Sequence, residues 1–164
     1  MIFLTVGHQM PFDRLVRIVD EWARVTGRGD IFAQIGDGEY WPSWFQAVPF
    51  LTPRQFQQRM DEAGGVIGHA GTGTIIAALQ LRKPLLVLPR LAAWGETRND
   101  HQVATARYFA ERGHILAGYS EGEFASRLDV FESFRPSTSL SDLGSPQLIR
   151  RIRNFALGDA GKAA

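Results

Sequence analysis

Val66-Ile67-Gly68-His69-Ala70-Gly71-Thr72-Gly73-Thr74-Ile75 reads as a buried strand, a glycine turn and the opening of a helix. Val66 to Gly68 supplies the strand, and Ile75 to Leu81 continues as helix. Such a turn gathers free backbone N–H groups and a positive dipole end at one spot, which makes an anion site. Thr72 and Thr74 add hydroxyl donors, and Gly71 and Gly73 remove the Cβ atoms that would hold a diphosphate off the backbone. His69, Gly71, Thr72, Gly73 and Thr74 are therefore the expected diphosphate contacts. A bare strand-to-helix turn would need fewer glycines and threonines than this one has. The segment is neither a spaced dinucleotide fingerprint, whose third glycine is missing, nor a P-loop, whose Gly-Lys-Ser/Thr ending is absent.

Outward from this stretch, short apolar runs alternate with segments of helical period, a pattern that demands parallel strands joined by crossover helices. Five further strands fit: Ile2 to Val6, Ile31 to Ile35, Val48 to Leu51, Leu85 to Leu88 and His114 to Ala117. Between them fall a helix from Phe12 to Val25 and one from Pro53 to Ala63 capped by Thr52. Another opens at Asp100 and runs to about Arg112, where Gly113 closes it. The expected fold is α/β, a doubly wound, mostly parallel six-stranded Rossmann-like sheet with its ligand at the carboxyl ends of the strands. Residues 1–131 form that domain, 132–145 a Ser-, Pro- and Gly-rich linker, 146–157 a C-terminal helix that docks on this domain or a partner, and 158–164 a flexible tail.

Composition narrows the classes. A chain of 164 residues with 45% hydrophobic and 21% charged residues suits one globular unit rather than a disordered or fibrous one. A net charge of +1 argues against a wide nucleic-acid-binding face. With no cysteine, disulfides and thiolate chemistry are excluded. The first apolar run stops at Gly7, short of a signal peptide or a spanning helix, so membrane contact is expected only at the periphery or through a partner.

Two more loops belong at the same sheet edge. The first runs from Pro89-Arg90 through Gly95-Glu96 to Asn99-Asp100-His101-Gln102. Asp100, His101 and Gln102 carry the acceptor, donor and amide groups that grip sugar hydroxyls, although Asn99 and Asp100 also suit a helix N-cap. Arg90 and Arg98 suit either a uronic acid carboxylate or a structural ion pair. The second loop starts at Gly7-His8-Gln9, where His8 lines the cleft or satisfies turn backbone. His69, His101, Glu96 and Asp100 lack the spacing of a metal site, so no metal is expected. Tyr40-Trp41-Pro42-Ser43-Trp44-Phe45 is core filler or an aromatic anchor for a partner.

Thr5-Val6-Gly7, Pro11-Phe12-Asp13-Arg14-Leu15, Gln34-Ile35-Gly36, His69 to Thr74, Arg82-Lys83-Pro84, Pro89-Arg90, Gly95-Glu96 and Asp100-His101-Gln102 together resemble the C-terminal domain of family 28 glycosyltransferases. The resemblance extends from Met1 to about Asp129. It is closer to the stand-alone catalytic subunits of two-part enzymes, the N-acetylglucosaminyltransferase of the dolichol pathway and its bacterial exopolysaccharide counterparts. It implies a GT-B half-domain and inverting transfer from a UDP-sugar to a polyprenyl-diphosphate-linked glycan acceptor. It also implies a membrane-anchored, acceptor-binding partner subunit, which would hold this chain at the cytoplasmic face of the membrane. By matching positions, His69 to Thr74 hold the donor diphosphate and Asp100, His101 and Gln102 the donor sugar; from their loops, Gly7, Arg90 and Asn99 are expected elsewhere in the cleft. His8 and Glu96 are the catalytic candidates, and the base could lie on the partner; no cofactor beyond the UDP-sugar substrate is expected. Two positions depart from the family: Ala77 stands where a glutamate usually meets the ribose hydroxyls, and the turn after the first strand is one residue short. The alternative function is a non-catalytic nucleotide or nucleotide-sugar binding module.

Overall fold

In the computed structural model, which describes residues 1–137 together with Gln147, Arg150, Arg151 and Arg153, the apolar runs become six strands. These are β1 (Ile2–Thr5), β2 (Ile31–Gln34), β3 (Gln46–Val48), β4 (Gly65–His69), β5 (Leu85–Leu88) and β6 (Leu116–Ala117). They form one sheet in the order β3-β2-β1-β4-β5-β6, every neighbouring pair parallel. The crossovers are α1 (Asp13–Thr26), α2 (Pro53–Glu62), α3 (Thr72–Gln80), α4 (His101–Ala110) and α5 (Glu121–Leu128).

Alternation along the strands feeds two cores. Ile2 and Leu4 of β1 join α1 and α5 through Leu15, Val19 and Phe124 on one face. Phe3, between them, turns to the other face and meets Met60, Ile75, Leu79 and Ala106 of α2, α3 and α4. β5 is buried on both sides throughout, as a central parallel strand requires. Because β1, β2 and β3 wind one way and β4, β5 and β6 the other, the strand order reverses between β1 and β4. That reversal opens a crevice at their carboxyl ends. Local chemistry fixes the helix starts. Thr52 and Gln55 form a reciprocal capping box ahead of Pro53, and Ser120 accepts from the Glu123 amide to begin α5.

Four expectations shift. β3 lies at Gln46–Val48 rather than Val48 to Leu51, because Pro49 has no N–H to lend the ladder and only its carbonyl goes on pairing, with Gly36. β6 is confined to Leu116–Ala117, paired with Leu86 and Val87. Helix α5 was not expected, though Ser120 and Glu123 carry the spacing of a capping box. The folded body also runs past residue 131: Phe131 is fully buried, Glu132 pairs with Arg28, and the Ser137 amide donates to the Gly113 carbonyl at 2.9 Å. Of the expected helix 146–157, Gln147, Arg150, Arg151 and Arg153 are helical and exposed. The rest of it and the tail 158–164 lie outside the described residues.

Candidate functional site

The crevice is a cleft of about 700 Å³. Gly7, His8 and Gln9 beyond β1 form one wall, Pro53, Phe56 and Gln57 of α2 a second, and His101, Gln102 and Thr105 of α4 a third. His69 to Thr74 crosses its floor. Helix α3 opens there earlier than Ile75, at Thr72, with Gly71 as N-cap and no side-chain cap. The first intrahelical bond runs from the Ile75 amide to the Gly71 carbonyl at 3.1 Å, so the amides of Thr72, Gly73 and Thr74 have no partner within the helix. Thr72 and Gly73 are exposed, and nothing lies within 4 Å of where a Gly73 Cβ would stand. The helix therefore presents bare donors to the cleft.

His69 closes β4 with its imidazole between two glycines. A Cβ on Gly7 would stand 2.7 Å from the ring, and one on Gly71 would stand 2.2 Å from Nε2. Gly7 also has φ +79°, which disfavours other residues. Gly71 is thus required by the histidine, whatever room it also leaves for a ligand. Burial depresses the His69 pKa to about 4, the Arg90 guanidinium adding to the effect and the Thr5 carbonyl weakly opposing it. The ring is neutral at physiological pH, and Nδ1 makes no hydrogen bond among the described residues.

The loop beyond β5 differs from its expected role. Arg90 is buried and gives both terminal nitrogens of its guanidinium to backbone. Nη1 donates to the carbonyls of Pro11 and Glu96, and Nη2 to those of Val6 and Met10, at 2.5–3.1 Å. Nε makes no hydrogen bond among the described residues, and Arg90 lines a small polar recess beside the cleft. Glu96 is likewise committed: its two oxygens accept from Arg14 at 2.7 Å each, and Oε2 also accepts the Leu91 amide. As a base candidate it is spent on this ion pair. His8 makes no hydrogen bond among the described residues and stacks on Phe50, the ring centroids 5.8 Å apart. Of the two catalytic candidates, His8 alone keeps its side-chain polar atoms without a partner among the described residues, and it lines the cleft.

The Asn99 to Gln102 stretch divides in function. Asp100 turns its carboxylate to the Ala92 amide at 2.8 Å, and Asn99 accepts from the His101 amide and meets His101 Nδ1 at 2.6 Å. Both residues shape the loop. His101 is exposed and lines the cleft together with a smaller polar recess of about 90 Å³ bounded by His8, Met10, Thr97 and Gln102. Buried Gln102 spends Oε1 on the amides of Ala70 and Arg90 at 3.2 and 3.3 Å. Arg98 is exposed and lines neither cavity. Ala77, on α3, packs against the core and offers no polar group at the position noted for ribose.

Reading the motifs alone missed the α2 wall and the rim residue Phe50, which is 43% exposed. The available signal was positional: these residues directly follow β3, and a doubly wound sheet brings that end to the crevice too.

A switch-point cleft floored by an uncapped helix start defines a Rossmann-like ligand-binding domain. The glycosyltransferase family 28 C-terminal domain matches residues 1–119, and the chain belongs to this family. It is similar to the human UDP-N-acetylglucosamine transferase subunit ALG13, 30% identical over 125 residues, which are 70% of this chain and 11% of that protein. In fold it is similar to ALG13 as determined by NMR, with TM-score 0.57, 20% identity and coverage of 92% of this chain and 93% of that one. An S. aureus MnaA-UDP co-structure aligns with TM-score 0.65 at 12% identity, covering 99% of this chain and 48% of that one. The sheet is the GT-B half-domain that the motifs implied.

Proposed function

We propose that this chain is the donor-binding, catalytic subunit of an inverting UDP-sugar glycosyltransferase. The observation that carries this reading is the run of amides at Thr72, Gly73 and Thr74, without a partner among the described residues and lining the cleft beside the neutral His69. A pyrophosphate set there receives backbone N–H groups and the positive end of α3. His101 and the Gln102 amide then flank the sugar, and His8 serves as the base if the base lies on this chain. Membership of the family and the likeness to a transferase subunit support the assignment.

In the same reading the acceptor is a polyprenyl-diphosphate-linked glycan brought by a membrane-anchored partner, which keeps this chain at the cytoplasmic face. The aromatic loop suits such a partner. Asp20 accepts from the Tyr40 hydroxyl and from the Ser43 and Trp44 amides, fixing the loop to α1 while Trp41 and Trp44 stay 54% and 47% exposed. Replacing both tryptophans by serine is expected to weaken co-purification with the partner while the fold is kept.

Calorimetric titration with UDP tests the donor reading, with saturable binding expected and its absence overturning it. An assay for UDP release with partner-containing membranes then tests turnover. The commitment of Glu96 to Arg14 favours one rival, a non-catalytic nucleotide-sugar module. Binding without release in every reconstituted mixture would establish that rival.

A further inference from the structure

Two arginines cross between the loops that flank the end of β4. Arg14 leaves α1 and reaches the β5 loop, gripping both oxygens of Glu96 and the Pro89 carbonyl at 3.2 Å. Arg90 leaves the end of β5 and reaches back to the turn after β1, holding the carbonyls of Val6, Met10 and Pro11 as well as that of Glu96. Phe12, 1% exposed, lies under both guanidinium groups, 5.2 Å from Arg14 and 4.7 Å from Arg90. A cation that saturates four carbonyls in a buried site does more than fill space, since each bond fixes one backbone atom of a turn that has no regular partner.

The Val6 carbonyl belongs to the peptide that leads into Gly7, and Gly7 approaches the His69 ring so closely that a Cβ there would stand 2.7 Å from it. The ring's Nε2 also lies against Gly71, directly before the open amides of α3. A mechanical sequence thus runs from Arg90 through Val6 and Gly7 to the imidazole and on to the anion-binding turn. We propose that Arg90 is a positioning residue for diphosphate recognition: by anchoring the turn after β1 it clamps His69 between Gly7 and Gly71 and so sets the turn that holds the ligand's phosphates. The inference rests on the donor reading above and adds the residue on which that reading's geometry depends. It assigns Arg90 no contact with the ligand.

A lysine at position 90 keeps the charge but has three donors on one atom and cannot span carbonyls on both sides of the turn. The test therefore compares the Arg90→Lys and Arg90→Met proteins with the unaltered chain, using UDP and uridine as probes. Calorimetry gives the UDP affinity, NMR titration that of uridine, and the His69 imidazole signals the ring's setting. Expected are a loss of about tenfold or more in UDP affinity for both variants, uridine affinity kept within about twofold, and shifted His69 resonances. The loss in the lysine variant separates geometry from charge. Unchanged UDP affinity in a folded Arg90→Lys protein overturns the proposal, and so does an equal loss for UDP and uridine, which marks a merely structural role. Should both variants fail to fold, Gly7→Ala takes their place, because its added Cβ pushes on the same ring from the same side. There the UDP-against-uridine split is again expected, and its absence again overturns the proposal. Failure of the unaltered chain to bind UDP sinks the donor reading itself and is a distinct result.

Discussion

The two ends of the sheet each carry a groove, of similar size and opposite character. At the carboxyl ends lies the cleft of about 700 Å³. At the amino ends a groove of about 570 Å³ runs past Met1, Asp30, Phe32, Trp44 and Arg59. In the second groove the charges are already answered: the terminal ammonium and Arg28 both pair with Asp30, and Arg59 pairs with Glu62 while its guanidinium lies over Phe32. In the first, three amides and the ring nitrogens of His8 stay unanswered among the described residues. Concavity of this size therefore does not mark a site; unmet hydrogen-bonding capacity at a dipole end does.

That contrast can be broken most sharply at Gly71. Gly71→Ala places a Cβ 2.2 Å from His69 Nε2, and the displaced ring is expected to lower UDP affinity on the order of a hundredfold. Calorimetry that finds normal affinity would show that the carboxyl-end cleft owes nothing to this packing. The ion pairs give the next largest difference. Arg14 and Glu96 have side chains only 8% and 10% exposed, so Glu96→Ala strands a buried cation and is expected to cost about 3 kcal/mol or more in urea unfolding. If Arg59→Ala at the other groove costs as much, the distinction between the two ends dissolves.

Acidity probes the same asymmetry, because the amino-end groove has no histidine among its lining residues. His69 stays neutral in the folded chain down to about pH 4, whereas in the unfolded chain it takes up a proton below its ordinary value of 6.5. Unfolding thus absorbs a proton between these values. Stability is complete above about pH 6.5 and falls as pH drops towards 4, by about 3 kcal/mol. A His69→Asn protein is expected to lose that slope in melting temperature against pH, and a slope that persists would place its origin elsewhere. The smallest effect is expected at Arg59, where replacement by alanine removes a pair with side chains 34% and 44% exposed and costs less than about 1 kcal/mol. UDP affinity is expected to stay within about twofold in that variant.

The sheet and the strand-to-helix turn at its switch point were legible in the sequence because each rests on a local rule. Apolar runs of strand length recur between helical periods, and His69 to Thr74 carries its meaning in adjacent residues. What Arg90 and Glu96 bind was not legible, for the opposite reason. A cation and a carboxylate near a cleft look alike whether free or committed, and their partners, Val6, Met10, Pro11 and Arg14, lie some eighty positions away. The role of Gly71 was only half legible: the absence of a Cβ was seen, but the ring that demands it is set by the third dimension. Helix α5 was missed although Ser120 and Glu123 announce it, since an eight-residue helix shows little period.

Gln102 has one more consequence. Its oxygen is claimed by two main-chain N–H groups, from Ala70 and Arg90, and an amide nitrogen could not take its place opposite them. Folding has therefore decided the polarity of this side chain before any substrate arrives. The end it has left can only give a proton, so whatever group it meets must bring a lone pair.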